Sequence, residues 1–328
     1  MVQSRKIMTL LTVLIIVMMI GLVGCGKREF AGNSPETKKT GISDQPSEQQ
    51  KDTRMVKDEF GEVEVPVKPK RVAAIYLEDY LKALEATPIV QWYHPSWGKQ
   101  DYLNLDVPEF DITGSIEALL DQNPDLIIVD GAVDAAKYEM YSKIAPTYRL
   151  PEEILQQPIE ITKTIADLLG VPEKAESVVT NYTQKIKEGK EKLQKSLGDE
   201  TVAVVRLNVA DKTLALFGIE NRYIGNIYKE MGLTPHPLVR DMKEFHEILS
   251  EEKLPELDAD HIIIFPSNGT WSSVENKEAI KLLDGPMWKT VPAVKKGRVY
   301  QADRTHWQSG AITANSMKMD DLLKWFVK

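Results

Sequence analysis

Three short stretches carry most of the residues able to do chemistry. Residues 91–100 (QWYHPSWGKQ) hold Trp92, Tyr93, His94, Trp97 and Lys99; residues 267–272 (SNGTWS) hold Trp271; residues 303–310 (DRTHWQSG) hold Arg304, His306 and Trp307. Arg206 and Asn208 stand two apart in TVAVVRLN, hence on one face of a strand. Tyr76 ends the run RVAAIY. A guanidinium offers fixed parallel donors to anionic oxygens and keeps its charge near neutrality. Indole rings add broad, stiff contact at little rotamer cost. This is a set that grips a ligand. Nothing in the chain supplies a cleaving apparatus: G-x-S-x-G, a P-loop and a compact Ser/His or Cys/His pairing are all missing from the sequence. The histidines are 94, 236, 246, 261 and 306; no two are spaced i, i+4 and HExxH does not occur, so direct capture of Zn or Mn has little support. Arg222, Arg240 and Lys99 rank behind Arg206 as ligand contacts, and Trp288 and Trp325 are expected in the core.

The front end reads as an address. Arg5 and Lys6 precede 17 uncharged residues, 7–23, and then Gly24 and Cys25. A basic start, an apolar middle and small residues before a cut make a secretory signal over 1–24. Leu22-Val23-Gly24-Cys25 resembles a bacterial lipobox, which implies cleavage before Cys25 and lipidation of its thiol; an uncleaved anchor is the alternative, 17 residues being near the lower limit for a span. A single cysteine in an exported chain fits that role, since it cannot form an internal disulfide. Residues 25–55 are polar, with Phe30 and Ile42 the only large apolar side chains over 27–54, and read as a flexible tether. The net charge of −8 argues against a nucleic-acid surface.

The elements that must position the gripping residues form an α/β body. A hairpin is expected over 56–65, with Gly61 at its turn, followed by apolar strand runs at 71–76, 88–91, 125–130, 201–208, 213–217, 261–266 and 298–302. Helical patterns at 78–85, 132–143, 222–231, 277–283 and 311–327 alternate with them, the signature of mostly parallel sheets. Residues 115–129 and 250–264 match at six of fifteen positions, pointing to two similar halves. Between the halves, 172–196 opens on Pro172 and places Ala175, Val178, Val179, Tyr182, Ile186 and Leu193 on one stripe: a rod of roughly 37 Å that permits rocking and resists wide opening. Gly189 within it is a weak point worth about 1 kcal/mol. The expected architecture is an N-terminal lobe over 56–165, a linking helix over 166–197 and a C-terminal lobe over 198–328, with a ligand cleft between the lobes.

This order looks like that of the substrate-binding lipoproteins of bacterial iron-siderophore and cobalamin ABC importers. The stretches that match are Val65-Pro66 with Pro69-Lys70-Arg71-Val72, Ser115-Ile116-Glu117 with Asn123-Pro124-Asp125-Leu126-Ile127, Pro286-Met287-Trp288 with Val291-Pro292-Ala293-Val294-Lys295, and Gly297-Arg298-Val299-Tyr300. The family-type domain runs from about 71 to 328. The resemblance implies a ferric siderophore held through its chelator, no resident cofactor, no enzyme activity, and a monomer lipid-anchored on the extracytoplasmic face of the membrane. Its partners would be a permease and its ATPase; the Lys-rich tether fits a Gram-positive surface. It places Arg206 and the Arg304–Trp307 loop on the ligand; Trp271, Trp97, Trp92, His94, His306, Tyr76 and Asn208 are further candidate contacts by their own positions at strand ends and in the loops that follow. It also makes Glu117 and Glu252 the permease-docking carboxylates, one on each lobe. Haem, with His94 or His306 as axial ligand, and cobalamin are the alternative ligands; an extracytoplasmic lipoprotein hydrolase is the alternative class.

Overall fold

The polar register of TRMVKD and GEVEVP predicts a half-exposed ribbon, and in the computed structural model β1 (Thr53–Asp58) and β2 (Gly61–Pro66) pair antiparallel. The structure describes residues 52–250 and 252–328; the signal, Cys25 and the tether up to residue 51 lie outside them. The ribbon begins at Thr53, so the last residues assigned to the tether are strand.

Beyond the ribbon the chain forms the two α/β lobes expected. In the first, β3 (Val72–Ile75), β4 (Gln91–Tyr93), β5 (Glu109–Asp111), β6 (Leu126–Val129) and β7 (Thr147–Arg149) pair only in parallel, as β3-β6-β7 and β4-β5. VAAI and LIIV are buried along their whole length, which is why they read as unbroken apolar runs instead of alternating ones. In the second, β8 (Thr201–Asn208), β9 (Thr213–Phe217), β10 (Thr234–Pro235), β11 (His246–Leu249), β12 (His261–Pro266) and β13 (Val299–Gln301) form one sheet in the order β11-β9-β8-β12-β13, with β10 beside β8. The two repeated segments end on β6 and β12, and each of these strands is parallel to the neighbour on either side.

Helices close the layers. The N-terminal lobe has α1 (Glu78–Ala83), α2 (Glu117–Leu120), α3 (Ala135–Ser142) and α4 (Pro158–Leu168). The rod α5 (Pro172–Leu197) is a single 26-residue helix, and the C-terminal helix Ile312–Phe326 packs along it. Gly189 is buried in that contact, and a Cβ built there would sit 2.1 Å from Met319 Sδ. The weak point read from propensity is thus a close approach between helices. An exposed Gly→Ala change in a helix gains ~1 kcal/mol, but Gly189→Ala is expected to cost about 1–3 kcal/mol through overpacking. Thermal denaturation checks the sign, and Met319→Ala in the same chain should recover part of the loss.

Candidate functional site

The parallel strands of the N-terminal lobe end together, and the residues following them turn toward the second lobe. Tyr76 after β3, Trp97 after β4, Ile112 after β5 and Asp130 after β6 all line one cavity, whose opposite wall is Arg222, Tyr223 and residues 308–311. Its volume is about 340 Å³. This is the crevice beyond the carboxyl ends of strands in which α/β folds bind ligands.

Aromatic groups build the first wall. Tyr76 has φ of 68°, a left-handed backbone that bulky residues adopt rarely. Its ring lies 4.3 Å from that of Trp92, centroid to centroid. Burial pushes the Tyr76 phenol well above its usual range, so it remains a neutral donor. Trp92 is 6% exposed, and its indole N–H is buried with no acceptor among the described residues. Trp97 is 46% exposed and stacks on His94 at 3.9 Å.

Arg222 closes the cavity from the other side. Its Nη1 donates to both carboxylate oxygens of Asp130, at 3.1 and 3.0 Å, bridging the lobes. Burial opposes its charge, but Tyr223 and Asp130 beside it keep it protonated. The two C-lobe segments of the wall meet at Gly310, where a Cβ would come within 2.1 Å of the Arg222 carbonyl oxygen. Behind them lies Arg206, half-buried, donating from Nε to Asn208 Oδ1 (2.8 Å), with its guanidinium 5.2 Å from the Phe217 ring centroid. Asn208 in turn donates to Thr213 Oγ1 at 3.0 Å. Among the described residues no carboxylate lies within ion-pair distance of Arg206, although neither it nor Asn208 reaches the cavity lining.

The loop 303–310 does something other than expected. Arg304 is 5% exposed and donates to the carbonyls of Trp97 (2.8 Å) and Lys99 (2.9 Å) and to Asp101 Oδ2 (3.2 Å). It braces the Trp97 loop from the other lobe. Trp307 is fully buried and donates to Asp321 Oδ2 at 2.9 Å, the atom that also accepts from His306 Nε2 at 2.7 Å. The reason is local: Asp303 accepts from Thr305 N and starts a helical turn, Arg304–Trp307, which aims Arg304 at the Trp97 loop and His306 and Trp307 at Asp321 of the C-terminal helix. Arg304, His306 and Trp307, expected on the ligand, thus bond within the protein and lie outside the lining of this cavity. The same holds for Trp271, its indole donating to the Ala302 carbonyl at 2.9 Å. His94 backs Trp97 and accepts from Ser96 N at 3.0 Å. No histidine or cysteine is among the described residues lining the cavity, so neither His94 nor His306 stands there as an axial haem ligand. Trp288 is in the core as expected, and Trp325 is half-buried against it.

Two buried carboxylates sit under the site. Glu78 accepts from Trp92 N at 2.7 Å, and Asp79 accepts from Tyr102 Oη (2.6 Å) and from the backbone N–H groups of Thr313 and Ala314 (3.0 and 3.2 Å). Asp79 thus caps the C-terminal helix from the opposite lobe. Burial pushes Glu78 up to about 8 from 4.5, so the folded protein holds a proton there that the unfolded chain releases. This contribution to stability is complete below about pH 4.5 and is lost as pH rises to about 8. Glu78→Gln, which keeps the acceptor for Trp92, is expected to flatten that part of the slope and gain roughly 2–4 kcal/mol at the upper end. Denaturant unfolding at the two ends of the window measures it.

The permease-docking candidates are on the surface: Glu117 is exposed in the first turn of α2, and Glu252 is exposed in the turn before β12.

Comparison with known proteins agrees with this geometry. A family model described as periplasmic binding protein matches residues 78–305. The iron(3+)-hydroxamate-binding protein FhuD of Bacillus subtilis is 30% identical over 284 residues, covering 83% of this chain and 84% of its own. The Fe(3+)-citrate-binding protein YfmC of the same organism is 28% identical over 332 residues, covering 98% and 97%. Among solved structures, a FhuD-fold binding component of a Fep/Fec-like ferrichrome ABC transporter from B. subtilis is 28% identical and superposes with a TM-score of 0.69, over 83% of this chain and 100% of that one. Cavity, topology and sequence agree: the chain belongs to the periplasmic binding protein family.

Proposed function

We propose that this protein is the solute-binding component of an ABC importer and that it captures a ferric siderophore in the cleft between its lobes. The observation that carries this reading is the cavity at the strand ends, walled by Tyr76, Trp92 and Trp97 and closed by Arg222. Relatives covering most or all of the chain are named for binding iron(3+)-hydroxamate and Fe(3+)-citrate. Iron arrives as cargo inside its chelate, so the site needs aromatic faces and donors to oxygen and no metal ligands of its own. Arg206, its Nε held by Asn208, lies outside the cavity lining.

The protein does no chemistry on its ligand. Cys25 carries the lipid anchor that holds the body on the extracytoplasmic face of the membrane. Glu117 and Glu252 orient the loaded monomer on the permease, whose ATPase drives uptake. Exposed ion pairs are worth only ~0–1 kcal/mol each, so they set geometry more than affinity.

Titration with ferric hydroxamate, catecholate and citrate chelates, followed by quenching of indole fluorescence, tests the reading. At least one chelate is expected to bind with Kd below about 10 μM, roughly −7 kcal/mol. Weaker binding by all three classes rules the siderophore function out.

A further inference from the structure

The ionic groups that line the cavity are Arg222, Lys137, Asp130 and Asp134. Two cations and two carboxylates sum to zero charge, and Arg222 and Asp130 form an ion pair. Asp130 is buried, takes both Arg222 contacts and also accepts from Ala132 N at 2.8 Å. Asp134 caps α3 by accepting from Lys137 N at 2.8 Å, while Lys137 Nζ donates to the Ile112 carbonyl at 3.1 Å. The lining is balanced.

We infer that Asp130 sets the charge of the ligand: by neutralising Arg222 across the cleft it leaves an aromatic-walled site of zero net charge that selects a neutral ferric hydroxamate over anionic catecholate or citrate chelates. This rests on the siderophore reading above and narrows it. Three hydroxamates, each with one negative charge, neutralise Fe³⁺, whereas three catecholates, each with two, leave a triply negative chelate. Burying such an anion against a balanced wall leaves its charge uncompensated and sets it beside Asp130 and Asp134, a like-charge contact that excludes the wrong partner. A neutral chelate meets no such cost. Its oxygens find the neutral donors of Tyr76 and Trp92, and its hydrocarbon arms lie on the rings of Trp97 and Tyr223.

The test compares the protein with Asp130→Asn, which keeps the shape and the acceptor but removes the charge. Ferrichrome, ferric bacillibactin and ferric citrate are the probes, read by fluorescence quenching, with thermal denaturation to verify folding. The wild type is expected to bind ferrichrome at least about tenfold tighter than either anion, and Asp130→Asn to narrow that ratio by about tenfold. Arg222→Gln, the reciprocal change, is expected to widen it, so either variant alone tests the role of the pair. A wild type that prefers an anionic chelate overturns the inference and leaves the siderophore function standing, as does a ratio unmoved by both variants. Failure of all three probes to bind removes the siderophore reading itself.

Discussion

Replacing Lys318 by methionine is expected to lower the stability of the folded body by about 3–5 kcal/mol, the cost of leaving three buried acceptors without their donor. Lys318 is fully buried on the C-terminal helix. Its ammonium donates to the carbonyls of Tyr223 and Ser309 and, at 3.0 Å, to Asn315 Oδ1. Burial pulls its pKa down to about 7, against the attraction of Asp79 and Glu230. Methionine matches the length of the stem and supplies no donor. Three acceptors lose their partner, and the attraction between the ammonium and Asp79 and Glu230 is lost with it. Two of those acceptors belong to the segments that form the C-lobe wall of the cavity, so ligand binding should weaken along with stability. At ~2–4 °C per kcal/mol for a body of this size, a fall of roughly 10 °C in Tm is predicted. A variant as stable as the wild type would mean that the amine is incidental.

Replacing Arg304 by methionine is expected to cost about 2–4 kcal/mol without any ligand present, because two carbonyls and a carboxylate lose a buried donor. The same change should weaken chelate binding by roughly tenfold to a hundredfold, since truncating a buried charged partner typically costs 2–5 kcal/mol and part of that falls on the Trp97 wall. The two effects distinguish a brace from a contact. An arginine that touched only the ligand would change affinity and leave the unliganded Tm untouched. Arg304→Lys, which keeps the charge but not the fork, should recover little, because a single ammonium cannot reach the Trp97 and Lys99 carbonyls together with Asp101.

The same contrast shows how much of the molecule could be read from its residues. HIIIFP, TVAVVRLN and TLALF are long enough and apolar enough to announce strands, and β8, β9 and β12 fall on those bounds. The rod was legible because Pro172 marks its start and no proline interrupts the stripe that follows. EFD and TYR, three residues each, carry too little pattern to register, yet β5 and β7 complete the N-lobe sheets. Helix α4 had a readable stripe in Ile161, Ile165 and Leu168 after Pro158, and it was missed.

The site was half legible. The aromatic cluster 92–97 is visible in the sequence, and Trp92 and Trp97 both line the cavity. Arg304 and Trp307 carried the same signal, but Asp321, which holds Trp307 and His306, lies on a different helix. Arg222 was passed over for the reverse reason. Its partner Asp130 follows a strand in the other lobe, 92 residues away, and nothing in the sequence around either residue marks that pairing; only the folded chain brings the two together.

Anomalous diffraction at the iron edge, from crystals of the protein grown with ferrichrome, tests the central claim most directly. A single iron peak between the Tyr76–Trp92–Trp97 wall and the Arg222–Tyr223 wall is the predicted result. Iron bound on an outer face with the cavity unfilled would contradict it.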